Sequence, residues 1–118
     1  MTSKIENSEF IVLRTEYLIT KYETAFTLWW KNTKIKKIDL KKELENIKNE
    51  LLHMRATILE KEEDHVFLLG KINLRIAMHD FYNQTLEDTE VKELENSVNV
   101  FEKFNSWKLA VKSLTLLA

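Results

Sequence analysis

Three histidines stand at spacings that could serve metal or nucleic-acid chemistry. Two of them follow a glutamate by three positions, as Glu50-x-x-His53 and Glu62-x-x-His65. This unit supplies metal ligands in carboxylate-bridged di-iron bundles, which need two such units on different helices and two further inward glutamates. Here the units begin twelve residues apart, which on one helix separates them by about 18 Å. The pattern therefore indicates surface residues, and we expect no metal and no cofactor.

The third histidine follows an arginine by about one helical turn, as Arg75-x-x-x-His79. Ribonucleases of the HEPN type, which are also helical bundles, pair an Arg with a His at a wider spacing. The polar residue that usually follows that Arg is also missing, because Ile76 stands there. We therefore expect Arg75 and His79 to form the polar edge of a helix. No catalytic residue is assigned, and a bundle-type ribonuclease or metal enzyme is kept only as a third alternative.

A basic stretch lies between Lys31 and Lys42, where six lysines stand against one acid. Two tryptophans, Trp29 and Trp30, come directly before it. Lysines neutralise phosphates and aromatic rings stack on bases, so a nucleic-acid site is one alternative. The stretch has no arginine, which is the main reader of base edges, and a solvated basic loop is the simpler interpretation. The lysines of the nucleic-acid alternative are Lys31, Lys34, Lys36, Lys37, Lys41 and Lys42.

The composition predicts a soluble protein made of long helices. The chain has 118 residues, no proline, one glycine and 44% hydrophobic residues, so breakers of helices are almost missing while a core can form. It has no cysteine, which excludes disulfides and thiolate chemistry. A net charge of −1 gives no global attraction to nucleic acid or anionic membranes. We see no signal peptide and no membrane span, and expect a cytoplasmic location.

Apolar periodicity places four main helices at about residues 8–32, 39–62, 65–83 and 89–117. The expected fold is all-α, a mostly antiparallel bundle in one domain over residues 1–118. The last helix can break near residue 105, which would create a short fifth helix. Residues 60–65, EKEEDH, either form a turn, after which Asp64 caps a new helix, or belong to one helix that continues to Tyr82; the turn is the preferred interpretation. Asp39 and either Asp88 or Thr89 are expected to cap the second and fourth helices.

The first helix is apolar over a wide arc, so we expect it at the centre of the bundle. One line runs from Ile11 to Trp29, and Phe10, Leu13 and Tyr17 widen the arc. The same width predicts that Trp29 and Trp30 are both buried against different neighbours. The alternative is that one of them is an exposed anchor for a partner.

The second helix carries a seam of apolar residues at alternating spacings of four and three, from Leu40 to Ile58. In heptad terms its flanks hold ordered charges. These are Glu43 and Glu50 at g positions and Lys48 and Arg55 at e positions. The layout suits either a two-stranded coiled-coil dimer or an internal seam of the bundle, and the internal seam is the preferred interpretation.

Two features in the second half of the chain predict contact with another helix or with a partner protein. Gly70 lies inside the third helix, and an aromatic ring from Trp29, Trp30 or Trp107 could compensate for the missing side chain. The C-terminal segment WKLAVKSLTLLA is unusually apolar for a chain end, and its line continues through Trp107 and Leu114. This segment is either docked in the bundle or offered to a partner.

These observations favour a non-catalytic protein-interaction module, such as a small assembly subunit, adaptor or inhibitor that acts through helix faces. A protein partner or self-association is expected, nucleic acid is the second choice, and no membrane is involved. The candidate partner-binding residues are Trp29, Trp30, Glu43, Lys48, Glu50, Arg55, Trp107 and Leu114.

Overall fold

The computed structural model describes residues 3–31, 37–60 and 65–117, with side chains placed for residues 9–31, 39–60 and 65–117. Within these residues the chain forms five helices and no strand, which confirms the all-α prediction. The helices are α1 (Ser3–Trp30), α2 (Lys37–Glu60), α3 (Val66–Tyr82), α4 (Asp88–Lys103) and α5 (Trp107–Leu117).

The chain divides into two compact units, Met1–Glu60 and Lys61–Ala118, here called the N-terminal unit and the C-terminal unit. The single domain over residues 1–118 stays a prediction. None of the helices in the described part of the chain combines the length and hydropathy that a bilayer crossing requires.

In the N-terminal unit, α1 packs along α2. The stripe predicted on the first helix is buried from Ile11 to Ala25, and the seam of the second helix is buried from Leu44 to Ile58. Burial of these apolar side chains is the main favourable term that holds the pair together. The buried apolar residues are Ile11, Leu18, Ile19, Tyr22 and Ala25 of α1 and Leu44, Ile47, Leu51, Met54 and Ile58 of α2.

The wide apolar arc of α1 is only partly buried. Phe10, Leu13 and Tyr17 are all exposed. A helix that packs lengthwise on one neighbour covers a single stripe, and here α2 covers the stripe through Leu18. The three side chains lie on the flank beside that stripe.

The C-terminal unit is built from contacts of α3 with α4, of α4 with α5, and of α3 with α5. Gly70 of α3 lies against Phe101 of α4, and a Cβ atom added at Gly70 would stand 3.0 Å from the Phe101 Cε1 atom. The aromatic neighbour expected at the glycine is therefore present. It is Phe101 rather than one of the three tryptophans, because α4 is the helix that crosses α3 at this level.

The predicted break near residue 105 is present between α4 and α5. Asn105 has a positive φ of 58°, a conformation that asparagine tolerates better than most residues. The Ser106 amide donates to the Phe101 carbonyl at 2.7 Å, which satisfies one of the last carbonyls of α4.

The predicted caps do not match the helix starts. Asp39 lies in the first turn of α2, and Asp88 is the first residue of α4 after Glu87, which makes no side-chain cap hydrogen bond. An acid in the first turn already interacts favourably with the helix dipole without capping it. The turn and cap predicted at residues 61–64 lie outside the described residues.

Candidate interaction surfaces

The helix α5 packs through its small residues. Ala110 and Ser113 are buried, and the Ser113 hydroxyl donates to the Leu109 carbonyl at 2.9 Å, so the buried oxygen is satisfied. Leu109, Leu116 and Leu117 are half-buried beside these two residues. The helix is therefore attached to the C-terminal unit through two small buried residues and part of its leucine surface.

The large apolar side chains of α5 point to solvent instead. Trp107 is 59% exposed and Leu114 is 51% exposed, and Val111 between them is also exposed. Their spacing of four and three residues places them on one line of the helix. We call these three residues the α5 seam. An ordinary surface helix turns its large apolar residues to the core, whereas α5 leaves these three exposed.

The α5 seam contains both partner-binding candidates predicted for this segment, Trp107 and Leu114. Val111 was missed as a site residue although it completes the same spacing. Exposed contiguous apolar surface of this kind is typical of interaction sites, and tryptophan is a frequent anchor in protein interfaces.

The charged residues of α5 itself have one sign. They are Lys108 and Lys112, and α5 contains no acid. Lys108 is exposed and follows Trp107 directly, about 100° around the helix, whereas Lys112 is half-buried. One flank of the seam is therefore bordered by the exposed positive charge of Lys108.

A second apolar surface lies on the exposed flank of α1, formed by Phe10, Leu13 and Tyr17. Cationic groups stand over the Tyr17 ring, with the Arg14 guanidinium carbon 5.3 Å and the Lys21 amine 5.9 Å from its centroid. Beside it is an open groove of about 430 Å³ between α1 and α2. The groove is lined by Phe10, Arg14, Asn49, Glu50, His53 and Met54.

The candidate charges of α2 are engaged inside the N-terminal unit. Glu50 accepts from Arg14 at 2.6 Å, and Glu43 lies 3.3 Å from the Lys21 amine. Both glutamates therefore bind cations of α1. From Arg14 to Lys21 the chain advances seven residues along α1, while their partners go back seven residues along α2, from Glu50 to Glu43. The other two charge candidates, Lys48 and Arg55, are half-buried on α2.

The end of α1 carries an aromatic cluster around Phe26. The Phe26 and Trp30 rings are stacked, with centroids 6.3 Å apart and 8° between planes, and Trp29 lies 5.7 Å from Phe26. Trp29 is half-buried, but Trp30 is 61% exposed. The expectation that both are buried is therefore wrong, since successive helical residues diverge and only Trp29 continues the covered stripe.

The lysines after this cluster are only partly described. Lys31, Lys41 and Lys42 are exposed, and Lys37 begins α2. Lys34 and Lys36 lie outside the described residues. The described part of the basic stretch therefore offers exposed cations on both sides of the undescribed connection.

The histidine patterns do not converge on a metal site in the described residues, where no group of three or more potential ligands occurs. Glu50 and His53 line the same groove but Glu50 is paired with Arg14, while Glu62 lies outside the description. Arg75 and His79 are buried, which corrects the expectation of a polar edge. All seven residues from Leu74 to Asp80 are buried, so this part of α3 has no open edge.

Comparison of the chain with protein-family models, with curated proteins and with solved structures finds no match.

Proposed function

We propose that the chain is a non-catalytic helical protein-interaction module whose principal docking surface is the α5 seam. The single observation that carries this proposal is the line of three large apolar side chains that α5 leaves exposed. Its small residues Ala110 and Ser113 face inward, while Trp107, Val111 and Leu114 face outward. A face that contributes little to the fold and exposes large apolar area is the kind of surface that a partner covers.

The free energy available from this surface fits a specific but reversible complex. Full burial of a large apolar side chain contributes about 1.5–3 kcal/mol, and roughly half of each side chain in the seam is still exposed. The three residues together therefore offer about 3–4 kcal/mol, to which flanking contacts add. Trp107 would be the main anchor because aromatic residues carry most of the energy in such interfaces.

The N-terminal unit adds a rigid helical pair in this proposal. The two ion pairs, with their opposite numbering along α1 and α2, support an antiparallel arrangement of these helices. Because Glu43 and Glu50 are already paired with α1, we no longer place a coiled-coil partner on the flank of α2. The exposed flank with Phe10, Leu13 and Tyr17 is a second surface for the same role. A cytoplasmic location remains part of the proposal.

Comparative affinity capture tests the proposal. The full chain, a Trp107→Ala/Leu114→Ala variant and a Leu59→Ala control are used as baits in extracts of cells that express the protein. Leu59 of α2 has nearly the same exposed fraction as Trp107, 60% against 59%, and belongs to no candidate surface, so the control removes a similarly exposed apolar side chain elsewhere. A protein held by the wild type and the control but lost from the double variant supports the proposal. Equal capture by all three baits contradicts the α5 seam as the docking surface.

A second candidate function is single-stranded nucleic-acid binding at the end of α1. The stacked Phe26–Trp30 pair with Lys31 directly after it favours this alternative, because an exposed ring and nearby cations are what base stacking and phosphate contact require. Binding of a mixed-sequence oligonucleotide is measured at low salt. Binding that falls with salt and is weakened by Trp30→Ala supports this function, and no binding at low salt removes it.

A further inference from the structure

We infer that the α5 seam accepts an amphipathic helix of a partner protein whose apolar stripe is flanked by Asp or Glu. This inference rests on the proposed function and names the chemistry of the partner. Two observations lead to it, the line formed by Trp107, Val111 and Leu114 and the positive charge that borders it.

The shape of the surface selects a helix. The seam residues follow each other at spacings of four and three along one helix, so they form a straight apolar ridge about 10 Å long. Such a ridge is matched by the a and d positions of a second helix laid along it. A strand would find no open backbone edge here, since α5 satisfies its own amides within the helix.

The charge of the surface selects acidic flanks. From Lys103 to the end of the chain there are three lysines and no acid. Lys108 lies next to the anchor Trp107 and is exposed. A second α5 laid along the seam carries lysines and no Asp or Glu, whereas a helix with Glu or Asp beside its apolar stripe can pair with Lys108. Complementary charges at such positions determine which helix is accepted.

Two designed peptides of about 21 residues test the inference with the full chain. Both carry the same Leu and Ala stripe, and they differ only in having Glu or Lys at the flanking positions. Binding of each labelled peptide is measured by fluorescence anisotropy at about 50 mM salt, where exposed charge pairs are least screened. We expect the Glu-flanked peptide to bind about three- to tenfold more tightly than the Lys-flanked one, the range that a few exposed charge pairs supply.

Variants of the chain locate the effect. Lys108→Glu is expected to abolish or reverse the preference for the Glu-flanked peptide. Lys92→Glu, an exposed charge reversal on α4, is the matched control and is expected to leave it unchanged. Trp107→Ala is expected to weaken binding of both peptides by about tenfold or more, as loss of an interface anchor does. Circular dichroism of each variant checks that the helices are retained.

Several outcomes overturn the inference. Equal affinity for the two peptides, or a preference that Lys92→Glu changes as much as Lys108→Glu does, excludes charge recognition by Lys108. Self-association of the wild type that Trp107→Ala removes would show that a second copy occupies the seam. Binding to anionic phosphatidylglycerol vesicles in place of the peptides would show that a membrane surface does. Loss of the charge preference while comparative capture still depends on the seam refutes the acidic partner alone. Failure of both experiments refutes the proposed function itself.

Discussion

Leucines at two positions of the C-terminal unit allow the same substitution to be made in the core and in the α5 seam. Leu94 on α4 is 1% exposed, and Leu114 on α5 is 51% exposed. Leu94→Ala removes a fully buried side chain and leaves a cavity, which costs about 2–5 kcal/mol of the free energy of unfolding. Leu114→Ala removes a side chain that is half covered and leaves no closed cavity. We expect it to cost about 1 kcal/mol or less.

The assay is urea unfolding of the full chain followed by circular dichroism. With a slope of about 1–1.5 kcal/mol per molar urea, Leu94→Ala should lower the midpoint of its transition by about 2 M or leave the unit unfolded. Leu114→Ala should shift the midpoint by well under 1 M. The same Leu114→Ala protein should bind the partner about fivefold more weakly, since the exposed half of a leucine contributes about 1 kcal/mol to binding. A midpoint shift for Leu114→Ala as large as that for Leu94→Ala would mean that the seam is part of the fold and not a free surface.

Three further substitutions test how the helices are held. Gly70→Val should lower the free energy of unfolding by about 2 kcal/mol or more in the same urea assay, because the valine side chain would overlap the buried Phe101 ring. A change near zero would mean that the Phe101 ring can move aside. Glu50→Lys should lower the free energy of unfolding by about 0.5 kcal/mol at low salt, because it breaks the exposed ion pair with Arg14. Combining it with Arg14→Glu should restore that stability, and thermal melts at two salt concentrations measure both effects. Asn105→Val should lower the free energy of unfolding by about 1–2 kcal/mol, because a β-branched residue is strained at positive φ. Asn105→Gly should leave it unchanged, and equal stability of the two variants would argue against a positive φ at this position.

The helices and the buried seams were predictable because they depend on local periodicity. The four-three pattern from Leu44 to Ile58 is buried as expected, and so is the stripe that begins at Ile11. The break near residue 105 was also visible, because Asn105-Ser106 stands where the apolar line shifts. The helical repeat alone determines which residues share one face of a helix, so this prediction does not depend on which other elements pack against the helix.

What covers each line could not be read from the sequence. The wide apolar arc of α1 suggested burial of Trp30, which is exposed, while the isolated Arg75 and His79 suggested a surface that is in fact buried. Both depend on which helices lie alongside, and that is set by tertiary packing rather than by local pattern. The charges of Glu43 and Glu50 illustrate the same limit, since their order along α2 fits a second chain as well as it fits α1.

Site-specific photo-crosslinking shows directly whether α5 presents its large apolar residues to a partner. A photoreactive phenylalanine analogue is placed at position 111, at the centre of the α5 seam, or at exposed position 92 on α4 as the control. The proteins are irradiated in cells that express the full chain, and adducts are resolved by mass. We expect a discrete protein adduct from position 111 and none from position 92. No adduct from position 111, or the same adducts from both positions, would show that the α5 seam is not the docking surface.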